Sequence, residues 1–281
     1  MSMDVVRRHH RPQLRRPKAL IAFEGWNDAC EAASGAVHYI LGRSDTEEPF
    51  ATLEPEEFFD FQEHRPEVEI DAGGTRRLTW PDTQFYGVPR PDDDHDLILV
   101  VGDEPSFRWK TFSRVVVSVL SDLDVESVVL IGAYIGQASH RQPVPLAGTA
   151  VEPNIVSRYQ LDASNYEGPT GIVGVLMEAC RELGMPALSI WAATPPYLAA
   201  NANPSTMLAL LDKAAEVLGT TIETDGLRRL AAEFVERVDE ALEDEDDELV
   251  DFIASLERPA LTEADLGGLF TEIEDFLRGQ G

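Results

Sequence analysis

The sequence predicts an α/β protein: a mostly parallel sheet sandwiched by helices, with a helical appendage at the C-terminal end. Three observations carry that expectation. Short β-rich runs at 20–23, 97–101, 128–135 and 188–192 are each followed by a loop and then a stretch of helical periodicity. The runs are almost continuously apolar, as strands covered on both faces must be. After Gly219 the strand signal stops and only helical stripes remain.

The elements follow in order. Residues 1–18 carry Arg7, Arg8, Arg11, Arg15, Arg16 and Lys18 against Asp4 alone. Pro-broken and poor in apolar residues, they are expected to form a flexible basic arm, with docking on the acidic body of its own or a neighbouring subunit as the alternative. Residues 19–219 make the α/β domain. Its first helix puts Ala29, Ala32, Ala33, Ala36, Val37 and Ile40 on one side, with Asn27 or Asp28 as N-cap. Residues 50–90 alternate in short segments broken by Asp71, Gly73-Gly74 and Pro81, which predicts a β-hairpin-like insertion at a sheet edge. Two further helices place Ile172, Val175, Leu176, Ala179 and Leu183, then Met207, Leu211, Ala214, Ala215 and Leu218, on single stripes ending at Gly184 and Gly219. Residues 220–281 form an acidic helical region of three stripes, the last opened by Thr262 and Asp265 at capping-box spacing.

Charge excludes several classes of function. The chain has 23 Lys and Arg against 51 Asp and Glu, a formal −28, so nucleic acid and anionic membrane are not expected partners. From Glu223 onward nineteen acids face five arginines, the last of them Arg278, and half of the net charge sits there. The run Glu243 to Glu248 lacks the glycine and spacing of a calcium loop and reads as a solvated connector. Cys30 and Cys180 are too few and too far apart for a disulfide framework or a zinc site, and neither metal nor cofactor is expected. No apolar run is long enough to span a membrane, and a cytoplasmic address is the default.

In an open parallel sheet, ligands bind beyond the carboxyl ends of strands, so the loops there hold the candidate crevice. Glu24 stands as a general acid or base or as a solvated strand end; Asn27 and Asp28 are ligand donors or caps. Asp103 and Glu104 could share a proton or hold a metal, and equally suit a helix start by its dipole. Gly136 and His140, with Arg141 beside it, point to anion binding or acid/base work, against a loop histidine bonded to backbone. Tyr166, Gly168 and Thr170 precede a helix whose free N–H groups could take an anion or carbonyl oxygen. Thr194-Pro195-Pro196-Tyr197 is a rigid turn exposing a tyrosine to an interface or a pocket wall. No Walker loop, dinucleotide-binding glycine pattern or nucleophile elbow occurs.

Taken in order, Ala22 to Ala29, Glu104-Pro105 with Trp109, Gly132 to His140, Tyr166 to Gly171, and Trp191 to Tyr197 followed by Asn203-Pro204 resemble the proteasome assembly chaperone 2 family, in its bacterial, actinobacterial-type branch. The resemblance covers roughly residues 18 to 220. It implies a parallel α/β core similar to nucleoside phosphorylases and peptidyl hydrolases, and no established catalytic residue. It also implies a homo-oligomer, trimers among the assemblies, and relatives that bind proteasome α-subunits. Those relatives dock through a hydrophobic-Tyr-X tail. This sequence ends Phe276-Leu277-Arg278-Gly279-Gln280-Gly281, so proteasome subunits are not expected to be bound in that way. The leading expectation is a non-enzymatic, self-associating, assembly-chaperone-like binding protein. The alternative is an enzyme on a small molecule, a nucleoside- or amide-directed hydrolase or transferase using the strand-end crevice. A ligand sensor using that crevice is the third reading.

Overall fold

A computed structural model of the chain describes residues 5–71, 73–152, 154–243 and 247–257. The chain divides into two compact units, Met1–Asp239 and Glu240–Gly281, a division twenty residues beyond the boundary expected at Gly219. The order of elements is β1 (Val6–Arg8), β2 (Lys18–Glu24), α1 (Ala32–Leu41), β3 (Ala51–Leu53), β4 (Glu67–Ile70), β5 (Arg76–Thr79), β6 (Thr83–Val88) and β7 (Leu97–Asp103). There follow α2 (Trp109–Ser121), β8 (Val128–Ile135), β9 (Leu146–Ala150), α3 (Asn154–Arg158), β10 (Asp162–Ala163), α4 (Ile172–Glu182), β11 (Ala187–Thr194), α5 (Pro204–Leu218), α6 (Asp225–Leu242) and α7 (Asp247–Leu256).

Nine strands form one sheet in the order β1-β3-β6-β7-β2-β8-β11-β9-β10. The centre, β7-β2-β8-β11, is parallel, in the register Leu20 beside Leu99, Ile21 beside Leu130 and Ile190 beside Ile131. The flanks are antiparallel where β6 meets β7 and β9 meets β11. Alternation along β2 sends Leu20 and Ala22 into one apolar layer, with Ala32, Ala33 and Ala36 of α1 and Leu211 and Ala214 of α5. Ile21 and Phe23 enter the other, with Phe112 of α2 and Leu176 of α4. Both faces are covered, which is why these strands are apolar throughout. The small residues of α1 permit close approach: a Cβ on Gly35 would come within 2.5 Å of the Met207 methyl on α5.

The segment expected as a flexible arm lies, from residue 5, along the body. β1 pairs with β3, Val6 and Leu14 pack on the core, and Arg8, Arg15 and Arg16 reach Asp122, Asp96 and Glu126 at 2.6, 2.9 and 2.8 Å. Exposed ion pairs alone hold little, but Asp96 is buried and also accepts the Arg15 backbone N–H at 2.7 Å. Backbone pairing and that buried carboxylate fix a segment whose composition suggested mobility. Within 50–90, β3 and β6 join the main sheet, while β4 and β5 make a separate two-stranded hairpin with every residue exposed. The third C-terminal stripe, its capping pair, the centre of the acidic run and the terminal tail fall outside the described residues. No described helix is long and apolar enough to cross a membrane.

Candidate functional site

The loops at the carboxyl end of the parallel strands gather the candidate residues, but they divide them among four local structures. The first is at the ends of β2 and β7, where Glu24 and Asp103 are register partners. Each faces a histidine: Glu24 lies 3.8 Å from His38 on α1, and Asp103 lies 3.6 Å from His64. Contact with His38 holds the Glu24 carboxyl below its ordinary range. Burial, and then the charge of Glu24, push Asp103 up. Unequal carboxyls side by side can exchange a proton, and these are the described acids best suited to such chemistry.

The second structure consumes Asn27 and Glu104. Asn27 is fully buried, and its Nδ2 donates to Glu104 Oε1 at 2.6 Å. The same oxygen accepts the backbone N–H of Ile172, the first residue of α4, at 2.7 Å. Glu104 thus supplies from β7 the acceptor that the start of α4 needs, because its N-cap position, Gly171, has no side chain to offer. A Cβ at Gly171 would sit 2.1 Å from Asn27 Oδ1, so only glycine lets the loop close over the asparagine.

Asp28 makes the third. Its Oδ1 accepts the N–H groups of Ala33 and Ser34 at 2.6 and 3.2 Å, and its other oxygen takes the Ser34 hydroxyl. The capping role expected of this position is therefore exercised five and six residues ahead. The chain accommodates it by passing through left-handed backbone at both Cys30 (φ 60°) and Glu31 (φ 51°), an uncommon conformation for side-chain-bearing residues. The Asn27 carbonyl also accepts the Ala133 N–H at 2.8 Å, so the loop after β2 is tied to β8 near its carboxyl end.

The fourth is the histidine cluster. His140 is buried between Tyr197, whose hydroxyl is 2.6 Å from Nδ1 and accepts the His140 backbone N–H at 3.0 Å, and Asp239 of α6, 3.1 Å from Nε2. The carboxylate places a proton on Nε2. Arg141 Nε donates to the same Asp239 oxygen at 2.7 Å. Burial works against ionisation of Asp239, but the His140 and Arg141 hydrogen bonds prevail and its carboxyl titrates low. The arrangement anchors α6 to the strand ends and leaves neither imidazole nitrogen open. Tyr197, expected at an interface or a pocket wall, instead bonds to His140; the other partner of His140, Asp239, carries no local signal, lying 99 residues away.

Tyr166 bonds within its own loop, donating to the Pro169 carbonyl at 2.9 Å, and Gly168 (φ 158°) turns that loop beneath the ring. Thr170 follows at the mouth of α4, and Gly136 packs against Tyr134. Beside the carboxylates of Glu24 and Asp103, this end presents apolar side chains to solvent: Trp26, Phe107, Tyr134, Ile135 and Tyr166 are all exposed. Two clefts, of about 410 and 340 Å³, open at the opposite end of the strands around Lys18, Asp92, Asp93 and Glu126, and around Arg43, Arg90 and Glu223. None of the candidate residues lines them. Among the described residues no group of three or more His, Cys, Asp or Glu is placed to hold a metal ion.

A family model described as PAC2 family matches residues 22–242. The chain is similar in structure to a PAC2 family protein from Streptomyces avermitilis, with 39% identity, 86% of this chain and 100% of that one covered, and a TM-score of 0.79. It is also similar to a proteasome-assembly chaperone homologue from Mycobacterium tuberculosis, at 35% identity, 84% and 99% coverage, and a TM-score of 0.77. A Pyrococcus furiosus archaeal proteasome activator shares the fold at 18% identity, 84% and 97% coverage, and a TM-score of 0.66. A search of curated proteins found no match.

Proposed function

The chain belongs to the PAC2 family, and from that premise we propose that it is a non-enzymatic, self-associating binding protein that assists assembly of another complex in the cytoplasm. The observation that carries this reading is the use to which the strand-end acids are put. Asp28 and Glu104 hold helix starts, Asn27 is buried under Gly171, and His140 is bonded at both nitrogens. These four polar groups are engaged within the fold, while Glu24 and Asp103 stay at the surface and the aromatic groups that a protein partner would cover are turned outward. A proteasome-assembly role fits the Mycobacterium tuberculosis proteasome-assembly chaperone homologue, at 35% identity, and the partner on this reading is a proteasome subunit.

The test is a pull-down of the full chain from a proteasome-bearing actinobacterial lysate, read by mass spectrometry, with light scattering of the chain alone. Recovery of 20S α-subunits supports the reading, and recovery of none overturns the proteasome role. The Glu24–Asp103 pair sustains the second reading, an acid/base enzyme on a small molecule. A hydrolase screen over nucleoside and amide substrates separates the two, since turnover abolished in both Glu24→Gln and Asp103→Asn would favour catalysis.

A further inference from the structure

The β4–β5 hairpin is out of keeping with the rest of the fold. Its register pairs Val68 with Leu78 and Ile70 with Arg76 on one face, and Glu67 with Thr79 and Glu69 with Arg77 on the other. One face is therefore apolar with a single arginine, and the other is charged. Val68, Ile70 and Leu78 are nevertheless between 54% and 62% exposed, and Trp80 beyond them, its edge against Phe61, is 44% exposed. A two-stranded ribbon is at best marginally stable in water without a further strand or a surface beneath it. An amphipathic ribbon with its apolar face uncovered is one whose support lies outside the chain that carries it.

The hairpin also has a definite address. It returns to the sheet through Asp82 into Thr83, the register partner of Gly102, so it rises beside the ends of β7 and β2. That is the end where Trp26, Phe107, Tyr134, Ile135 and Tyr166 are 42% to 64% exposed, with Glu24, Asp103 and Glu167 among them. The two apolar surfaces of one chain thus adjoin without covering each other. Their charges are complementary, arginine on the hairpin and carboxylates at the strand ends. In a chain of net charge −28, approach of a second copy is repulsive unless such opposite charges meet.

We propose that the apolar face of the β4–β5 hairpin of one copy seats on the strand-end aromatic face of a second copy, with Arg76 meeting the acids around Glu24 and Asp103. The inference rests on the self-association reading and names its surface. The contact joins two different patches, so it either reciprocates about a two-fold axis as an isologous pair or propagates head to tail round a ring.

The experiment mixes two variants of the full chain. Val68→Lys with Leu78→Lys spoils the hairpin, and Trp26→Ser with Ile135→Lys spoils the receiving face; all four positions are exposed, so folding is checked simply by circular dichroism. Each variant alone is expected to sediment as a monomer at concentrations where the native chain is associated, with Kd raised about thirtyfold or more, as for loss of interface anchors. Mixed in equal amounts, each retains the surface the other lacks, and a two-chain complex of twice the chain mass is expected. The placement is overturned if the native chain associates and either variant keeps its mass, or if both dissociate and the mixture stays monomeric. A monomeric native chain at micromolar concentration overturns the self-association reading itself. Should a double variant lose its spectrum, Ile70→Lys and Tyr134→Ser repeat the comparison with single changes.

Discussion

Replacing Glu104 by alanine tests whether the strand-end acids are scaffold or chemistry. Glu104 Oε1 accepts from buried Asn27 Nδ2 at 2.6 Å and from the buried backbone N–H of Ile172 at 2.7 Å. Alanine leaves both donors unpaired, each at about 1–3 kcal/mol, and removes a negative charge from a helix start, worth about 0.3–1 kcal/mol. The sum is about 2–7 kcal/mol. For a body of this size about 1 kcal/mol moves Tm by roughly 2–4 °C, so Glu104→Ala is expected to melt about 4–28 °C lower. Glu104→Gln keeps an acceptor oxygen and loses only the charge, and should lie within about 2 kcal/mol of the native chain. The assay is urea unfolding followed by far-ultraviolet circular dichroism at one fixed protein concentration, so that association cancels between variants. An alanine variant within about 1 kcal/mol of native, or a glutamine variant as damaged as alanine, would refute the capping argument.

Other outcomes follow from the same geometry. Gly171→Ala sets a methyl against Asn27 Oδ1 and is expected to cost about 1–3 kcal/mol in the same urea assay, with Gly174, farther along α4, as the companion site where Thr170 rather than a buried amide is met. Asp239 titrates below its ordinary value, so its contribution is present above the unfolded carboxyl value near 4 and is lost as pH falls through the folded one; being partly exposed, it is worth at most about 1 kcal/mol. Asp239→Asn should therefore flatten the loss of stability below about pH 4, as measured by melting across pH. Burial pushes the Cys180 thiol to about 12, so a thiol reagent at pH 8 should spare it in the native chain and label it only on unfolding.

How much of this was readable beforehand depends on what holds each part. The four central strands were legible because both faces of each are buried, which writes a continuous apolar run into the sequence. β9 was not: Leu146 to Ala150 contains Ala, Gly and Thr, small residues chosen for packing against β11 and Leu161 rather than for strand propensity. The N-terminal arm was misleading for a related reason. Its hold is backbone pairing to β3 and a buried Asp96, and neither leaves an apolar signature in the arm itself. In the candidate site the residue types were found, with capping among the uses expected of Asn27, Asp28, Asp103 and Glu104, but the partners of each were not. Asp28 looks the same in sequence whether it caps α1 or awaits a ligand, and only Ala33 and Ser34 folded against it decide the matter. Glu104 depended on Asn27 and Ile172, partners 77 and 68 positions away, and such pairings have no periodicity to betray them.

Those separations bear on the order in which the molecule assembles. The bond from Asn27 to Glu104 and onward to Ile172 joins three loops that meet only after β2, β7 and α4 have each reached the sheet. Long loops must close before such contacts give any return, so this junction belongs to the last stage of folding rather than to its nucleus. Damage to a late contact appears in escape from the native state: Glu104→Ala should accelerate unfolding in stopped-flow urea jumps while the refolding limb stays where it was. The junction then acts as a latch on the lifetime of the fold, closing after the strands are set and governing how long they remain so.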